Sequence, residues 1–394
     1  MPRHPRPRSS LRAVTVVAAC LALLAPGAAE AVGRGEGHPH DPLRQQLEEL
    51  VRAPGGPPGI IAVLGDGHRR RVVQAGVADL DTGRAPRSGD AMRIASTAKA
   101  FSGAVALYLV EHRLLKLDDT LRERLPALPR AWGKVTLRQL LNHTSGLPDY
   151  SQTQAFADTL RADPHHHFDS RRLLDYAADE PLRFRPGSRY QYSNSDNIAV
   201  ALMAEAVTHV PYERLLAEIV YGPLGLHRTS LPQGFRMPEP YLHGYDVSPP
   251  EPTEDVSELI GMSGVWASGG IVSTPADMSR FIGAYAGGRL YGPGRGVVRE
   301  QRRWVPGGAS EPAGPGRNDA GLALFRYTTR CGVVLGHTGN TAGYTQLIAA
   351  TPDGRKSLTF SVNTQINQRS KPELLKRLRA VQENFVCALL GRKG

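Results

Sequence analysis

Strand-forming sequence is concentrated at the two ends of this chain, and a long helix-rich stretch separates them. Near the start, GIIAVLGDG and RRRVVQAGVADL are short β-rich runs joined at Gly65-Asp66-Gly67, the pattern of an antiparallel hairpin. Near the end come GLALFRYT, then VVLGHTG running on through AGYTQLIAAT as one strand, then KSLTFSVNT. Pro352-Asp353-Gly354 supplies the turn between the last two. Strands far apart in sequence can only bury their apolar faces by meeting. The simplest packing is therefore a sheet built from both chain ends beside a helical subdomain, an α/β fold with a largely antiparallel sheet flanked by helices.

Helix signals fill the rest. Asp41 caps, and Pro42 opens, a short helix with Leu43, Leu47 and Leu50 on one face. The reading is helical from Ser96 to about Asn142, with Val105 and Leu109, and Ala104 and Tyr108, each four apart. Thr136 caps LRQLLNH, and SDNIAVALMAEAVTH is a further helix. Residues 231–257 hold many prolines and read as a long loop. Pro275 suits the first turn of another helix, 286–320 is a Gly/Pro/Arg-rich connection, and a final helix follows Pro372.

The first residues read as something to be removed. Arg3, Arg6, Arg8 and Arg12 precede the apolar run 14–24 and the small-x-small exit Ala29-Glu30-Ala31, the layout of a secretory signal peptide at 1–31. A linker at 32–40 follows, then one domain at 41–390, with its sheet region about 41–95 and 315–390 and its helical region about 100–270. The expected location is secreted, extracellular or wall-associated, with no stable membrane insertion after processing. Export permits a disulfide, and Cys331 at a strand edge and Cys387 in the last helix are the pair that remains.

The formal charge is +11, and loss of the leader would leave 44 basic against 36 acidic residues. No basic helix, zinc-ligand spacing or aromatic-basic stripe accompanies that excess, so nucleic acid is not an expected partner. Weak attraction to anionic polymers or surfaces is the blander reading. The run His165-His166-His167 reads as a solvated loop, because consecutive residues rarely converge on one ion.

Three short motifs carry chemistry. Ser96-Thr97-Ala98-Lys99 places a hydroxyl and an amine on one helix face. A serine needs a base to become a nucleophile, and a partly buried lysine can become a neutral acceptor. Tyr192-Ser193-Asn194 offers a phenol to relay a proton and a carboxamide to hold a substrate amide; the bland alternative is a packed ring plus a capping Asn. His337-Thr338-Gly339 reads as a strand start where Gly339 lets substrate approach the backbone, Thr338 can donate, and the N–H of Asn340 can face an oxyanion. There is no G-x-S-x-G elbow.

The ordered set S-x-x-K, Y-x-N and H-T-G resembles the serine penicillin-recognising hydrolases, which include class C β-lactamases and D-alanyl-D-alanine carboxypeptidases. Phrases such as Thr136-Leu-Arg-Gln-Leu-Leu-Asn-His-Thr-Ser-Gly-Leu147 and Ser268-Gly-Gly-Ile-Val-Ser-Thr274 extend the likeness over about 41–390. The resemblance implies Ser96 as acylated nucleophile, Lys99 as proton acceptor, Tyr192 as proton shuttle and Asn194 as substrate-amide contact. It implies the N–H groups of Ser96 and Asn340 as oxyanion donors and Thr338 as contact to a substrate carboxylate. His337 stands where most members carry lysine. Members of the carboxypeptidase kind hold the terminal carboxylate with a strand arginine; here Phe325 aligns near that place, with Arg326 beside it.

On this resemblance the expected activity is a serine-type D-Ala-D-Ala carboxypeptidase acting on small or cell-wall peptides, inhibited by β-lactams, monomeric and without cofactor or metal. A β-lactamase, an esterase or D-amino-acid amidase or peptidase, and a non-catalytic wall-peptide binder are the alternatives.

Overall fold

The computed structural model describes residues 41–67, 69–292, 296–308 and 317–392. The leader and linker expected at 1–31 and 32–40 lie outside the described residues. Eight strands among the described residues form one antiparallel sheet: β1 (Gly59–Asp66), β2 (Arg69–Gly76), β3 (Val305–Pro306), β4 (Arg317–Ala320), β5 (Phe325–Thr329), β6 (Gly332–Thr341), β7 (Tyr344–Ala350) and β8 (Lys356–Val362). Their order is β2-β1-β8-β7-β6-β5-β4-β3. The two ends of the chain meet where β1 pairs with β8, Ile60 opposite Val362 through Asp66 opposite Lys356.

The sheet is covered on both faces. Helix α1 (Pro42–Val51), capped by the Asp41 side chain, and the closing helix α6 (Pro372–Leu389) bury Leu43, Leu47, Leu375, Leu378 and Phe385 against Phe360 and Val362. On the other face α5 (Pro275–Ala286) lies between sheet and helical region, with Thr274 capping it and Pro275 in its first turn. The helical region centres on α2 (Ala98–Glu111) and α4 (Asn194–Thr208), both buried almost all round, as a helix with little polar face must be. The capping box at Thr136 and Gln139 starts the short helix α3 (Leu137–Leu141). No helix among the described residues is long and apolar enough to cross a membrane.

Three expectations need correction. The run from Val333 to Thr351 is two strands rather than one: Thr341 pairs with Tyr344 across a tight turn in which Gly343 takes φ +75°, so His337-Thr338-Gly339 lies in the second half of β6 and not at a strand start. The helix that follows Ser96 stops at Glu111, because Arg113 enters the left-handed region at φ +61°. Beyond it the chain turns, burying Leu115 and Leu117, before the short helices Leu121–Arg124 and Leu137–Leu141. The connection 286–320 contributes two short edge strands, β3 and β4, which its Gly/Pro content hides.

Cys331, just before β6, and Cys387 in α6 form the expected disulfide, with Cα atoms 5.2 Å apart. The bond closes a loop with sequence separation 56 and ties the last helix to the sheet. Replacing both cysteines by serine should lower stability by about 2–4 kcal/mol in urea unfolding, with the slope little changed; an unaltered midpoint would show that α6 docks without it.

Candidate active site

Ser96 sits in a single 3-10 turn, Ala95–Thr97, immediately ahead of α2. Ala95 is held at φ +49°, a conformation that costs a non-glycine residue energy and persists only where the surroundings impose it. What imposes it is β6. A Cβ on Gly339 would lie 2.5 Å from the Ile94 carbonyl oxygen, 3.2 Å from Ala95 Cβ and 3.3 Å from the Ser96 nitrogen. Gly339 is therefore needed so that the serine turn can press against the strand, a role different from the substrate approach expected of it.

Lys99 is wholly buried. Its Nζ lies 3.2 Å from Ser96 Oγ, 2.7 Å from Asn194 Oδ1 and 2.8 Å from the Ser268 carbonyl oxygen. It also lies 4.9 Å from the centre of the Tyr192 ring. Burial brings its pKa down from 10.5 to about 7, while the nearby carboxylates of Asp149 and Asp196 work in the opposite direction. The amine is thus available as a neutral base near neutral pH.

Tyr192 is partly buried with its hydroxyl enclosed, and its pKa is pushed far above the ordinary phenol value by desolvation, an effect that the Ser96 hydroxyl partly offsets. Its Oη has no hydrogen bond of good geometry. Asn194, first residue of α4, gives its oxygen to Lys99, while Nδ2 donates to Ser151 Oγ at 2.9 Å and to Asp149 Oδ2 at 3.2 Å. Tyr190 packs edge-on to His143.

His337 is buried and neutral. Burial lowers its pKa to about 3, with Lys99 and His143 adding to the fall. Its Nδ1 pairs with the Thr338 carbonyl at 2.6 Å, its Nε2 has no partner, and the Phe325 ring packs 4.9 Å away. Thr338 is buried beside it. Asn340 lines the cleft, but its side chain is spent on Thr345 Oγ1, the Ile366 carbonyl and Gln365.

A cavity of about 120 Å³ opens on Ser96, lined also by Arg93, Tyr150, Ser151, Asn194, Val265 and Asn340. Arg326 is not among its walls: the guanidinium is held by buried Asp319, with Nε 2.9 Å from Oδ2, and lies over the Trp304 ring. That is the one-residue strand offset at work, which turns Arg326 to the other face from Phe325. Trp266, near Gly269-Gly270, is buried core, and its Nε1 donates to Glu213 Oε1.

Four groups that the sequence reading passed over complete the arrangement. The Ser268 carbonyl and Asp149 hold Lys99 and Asn194, the latter through bonds to both its main-chain and side-chain nitrogen. Behind Tyr192 lies a buried pair, His143 Nδ1 to Asp196 Oδ2 at 2.7 Å, with Ser145 on the other carboxylate oxygen. Burial raises the pKa of Asp196 and lowers that of His143. The phrase NHTSG and the Asp ahead of the α4 apolar run were the available signals.

With this geometry in view, comparison with known proteins is informative. The family model described as "Beta-lactamase" matches residues 43–383. Penicillin-binding protein 4* of Bacillus subtilis is 26% identical over 321 residues, 76% of this chain and 67% of that protein. A D-aminopeptidase of Brucella anthropi is 35% identical over 183 residues, which is 45% of this chain but only 33% of its own length. Among solved structures, a D-stereospecific amidohydrolase from a Streptomyces species superposes with a TM-score of 0.75 at 29% identity, covering 88% of this chain and 98% of that one.

The contact at Gly339 is testable without any substrate. Gly339→Ala should cost about 1–3 kcal/mol in urea unfolding, since its neighbours there are backbone and a short side chain that cannot swing aside. Gly89→Ala, at a position with open space, should change little. Equal stability of the two variants would mean that β6 and the serine turn are not in contact.

Proposed function

The chain belongs to the beta-lactamase family, and from that premise we propose that it is a serine hydrolase cleaving amides of D-amino acids and short D-peptides through an acyl-enzyme on Ser96. The observation that carries this reading is the buried Lys99 amine, poised near neutrality 3.2 Å from the Ser96 hydroxyl.

In the proposed reaction Lys99, neutral, takes the Ser96 proton as Oγ bonds to the amide carbon. Negative charge gathers on the carbonyl oxygen, where the N–H groups of Ser96 and Asn340 receive it. The proton then passes by way of Tyr192 to the leaving nitrogen, the C–N bond breaks and the amine departs. Water attacks the ester, Lys99 and Tyr192 return a proton to Ser96 Oγ, and the acid leaves. Asn194, braced by Asp149 and Ser151, keeps Lys99 in line and meets the substrate on the acyl side. The catalytic unit on this reading is residues 41–390.

The substrate class rests on what stands beside His337. A free C-terminal carboxylate wants a fixed cation, yet Arg326 is neutralised by Asp319 and the neighbouring strand position holds the Phe325 ring. His337 itself is neutral. Arg93, the arginine that does line the Ser96 cavity, gives Nε and one terminal nitrogen to the Ser257 and Phe235 carbonyls. The uncharged ammonia released from a D-amino-acid amide therefore suits this cleft better than a leaving group that carries a carboxylate. Similarity to the Streptomyces D-stereospecific amidohydrolase and to the Brucella D-aminopeptidase supports that choice. The second reading, D-Ala-D-Ala carboxypeptidase, is favoured by similarity to a putative D-alanyl-D-alanine carboxypeptidase of Escherichia coli, 31% identical over 152 residues.

Purified protein should hydrolyse a D-amino-acid amide with kcat/KM at least about tenfold above that for an acyl-D-Ala-D-Ala peptide, with nitrocefin slower still. Faster cleavage of the peptide would reinstate the carboxypeptidase. Ser96→Ala should lower turnover at least about a thousandfold and abolish the mass increment left by a fluorophosphonate. Because the base must be unprotonated, kcat/KM should climb as pH rises through about 7 and level off above it. A profile that falls across that range, or labelling that survives Ser96→Ala, would contradict the mechanism.

A further inference from the structure

At the end of the sheet away from Ser96 lies a larger concavity of about 500 Å³, outside everything described so far. The site end of the sheet is set by Asn340 opposite Thr345, whereas this groove borders the turn beyond Ala350. Six residues of β7 run between, close to 20 Å at roughly 3.3 Å per residue. Its walls are the β1–β2 turn, the β7–β8 turn and the flank of α5.

The lining is strongly cationic. Arg70, Arg280, Arg289 and Arg355 come from four separate places in the sequence and converge on it, against one lining carboxylate, Asp66. Other acidic groups reach the margin: Asp277 pairs with Arg280 at 2.8 Å, and Asp353 on the β7–β8 turn feels the charge of Arg355. Arg289 makes one long bond, 3.4 Å, to the Gly354 carbonyl. Four guanidinium groups thus stand with three carboxylates in and around the groove.

The floor is made of residues with little or no side chain. Gly65, Gly283 and Gly354 line it, and a Cβ on Gly65 would fall 2.6 Å from Ser357 Oγ, one on Gly283 3.0 Å from the Gly354 oxygen. Ser279 and Ser357 contribute hydroxyls, bonded to each other at 2.8 Å. Guanidinium forks arranged over a small-residue floor with hydroxyl groups suit phosphate oxygens, which accept paired N–H donors. The volume is that of a pocket for a ligand with several such groups, not for one ion.

We propose that this groove binds a linear polyphosphate-like polyanion, holding the protein on a phosphate-rich polymer while the Ser96 cleft stays open. A membrane surface fits less well. Pro223 and Leu224 are the apolar part of the lining, and none of the exposed large apolar residues among the described residues, Val72, Leu80, Leu114, Leu259 and Val333, adds to it as an anchor for a lipid surface. The proposal does not depend on which substrate occupies the catalytic cleft.

The test is fluorescence anisotropy of labelled inorganic polyphosphate with the full chain at physiological salt. The triple variant Arg70→Gln, Arg289→Gln, Arg355→Gln should bind at least about tenfold more weakly and with a shallower salt dependence. A control removing equal charge elsewhere, Arg161→Gln, Arg172→Gln, Arg214→Gln, at three exposed positions, should shift affinity by less than about twofold. Arg355→Glu alone, on an exposed turn, should weaken binding without disturbing the fold. Equal losses in the two triple variants would mean diffuse charge and overturn the site, as would unaltered binding in the first. Tighter binding to phosphatidylglycerol vesicles than to polyphosphate would overturn the choice of ligand.

Discussion

A buried ammonium is the constraint around which this structure is arranged. Taking a charged amine out of water is costly, and it persists only if acceptors surround it or its proton leaves. Lys99 has both options. Its three acceptors come from three distant segments: the turn before α2, the start of α4 and the stretch ahead of Val272–Ser273. Helical region and serine turn are thus pinned to each other at one nitrogen atom. The same burial that demands those partners lowers the pKa into the range where a base is useful.

The sheet supplies the other half of the constraint. β6 carries Gly339 against the Ser96 turn, and no side chain could stand there without moving backbone. The pairing of β1 with β8 joins chain ends some three hundred residues apart, and α6 is fastened to the sheet by the Cys331–Cys387 bond. The reacting groups sit at the seam between sheet and helical region, where rigid elements fix them rather than loops alone. The hydrogen-bonded pair His143–Asp196 lies behind Tyr192 and fixes the packing of that seam.

How much of this was legible in the sequence follows from how local each signal is. Caps at Asp41, Thr136 and Thr274 act within three residues, and all were readable. The residues Ser96, Lys99, Tyr192 and Asn194, named from short motifs, are brought together. The Ser268 carbonyl was invisible because a main-chain oxygen carries no letter of its own. Asp149 and the His143–Asp196 pair were visible as letters but not as partners, since their meaning depends on contacts some fifty residues away. The turn at Gly343 was lost inside an apolar run that reads as continuous strand. Arg326 shows the limit most clearly: a shift of one position on a strand exchanges faces, and only the fold decides which face meets the cleft.

The central claim is that the amine beside Ser96 is neutral in working solution, and it can be observed directly. The chain has only seven lysines, so a spectrum labelled with carbon-13 at lysine Cε can be resolved and the Lys99 signal assigned by its loss in Lys99→Arg. The account predicts that this one resonance titrates near pH 7, well below the ordinary 10.5. A Lys99 signal that titrates around 10 would contradict it and leave Ser96 without its base.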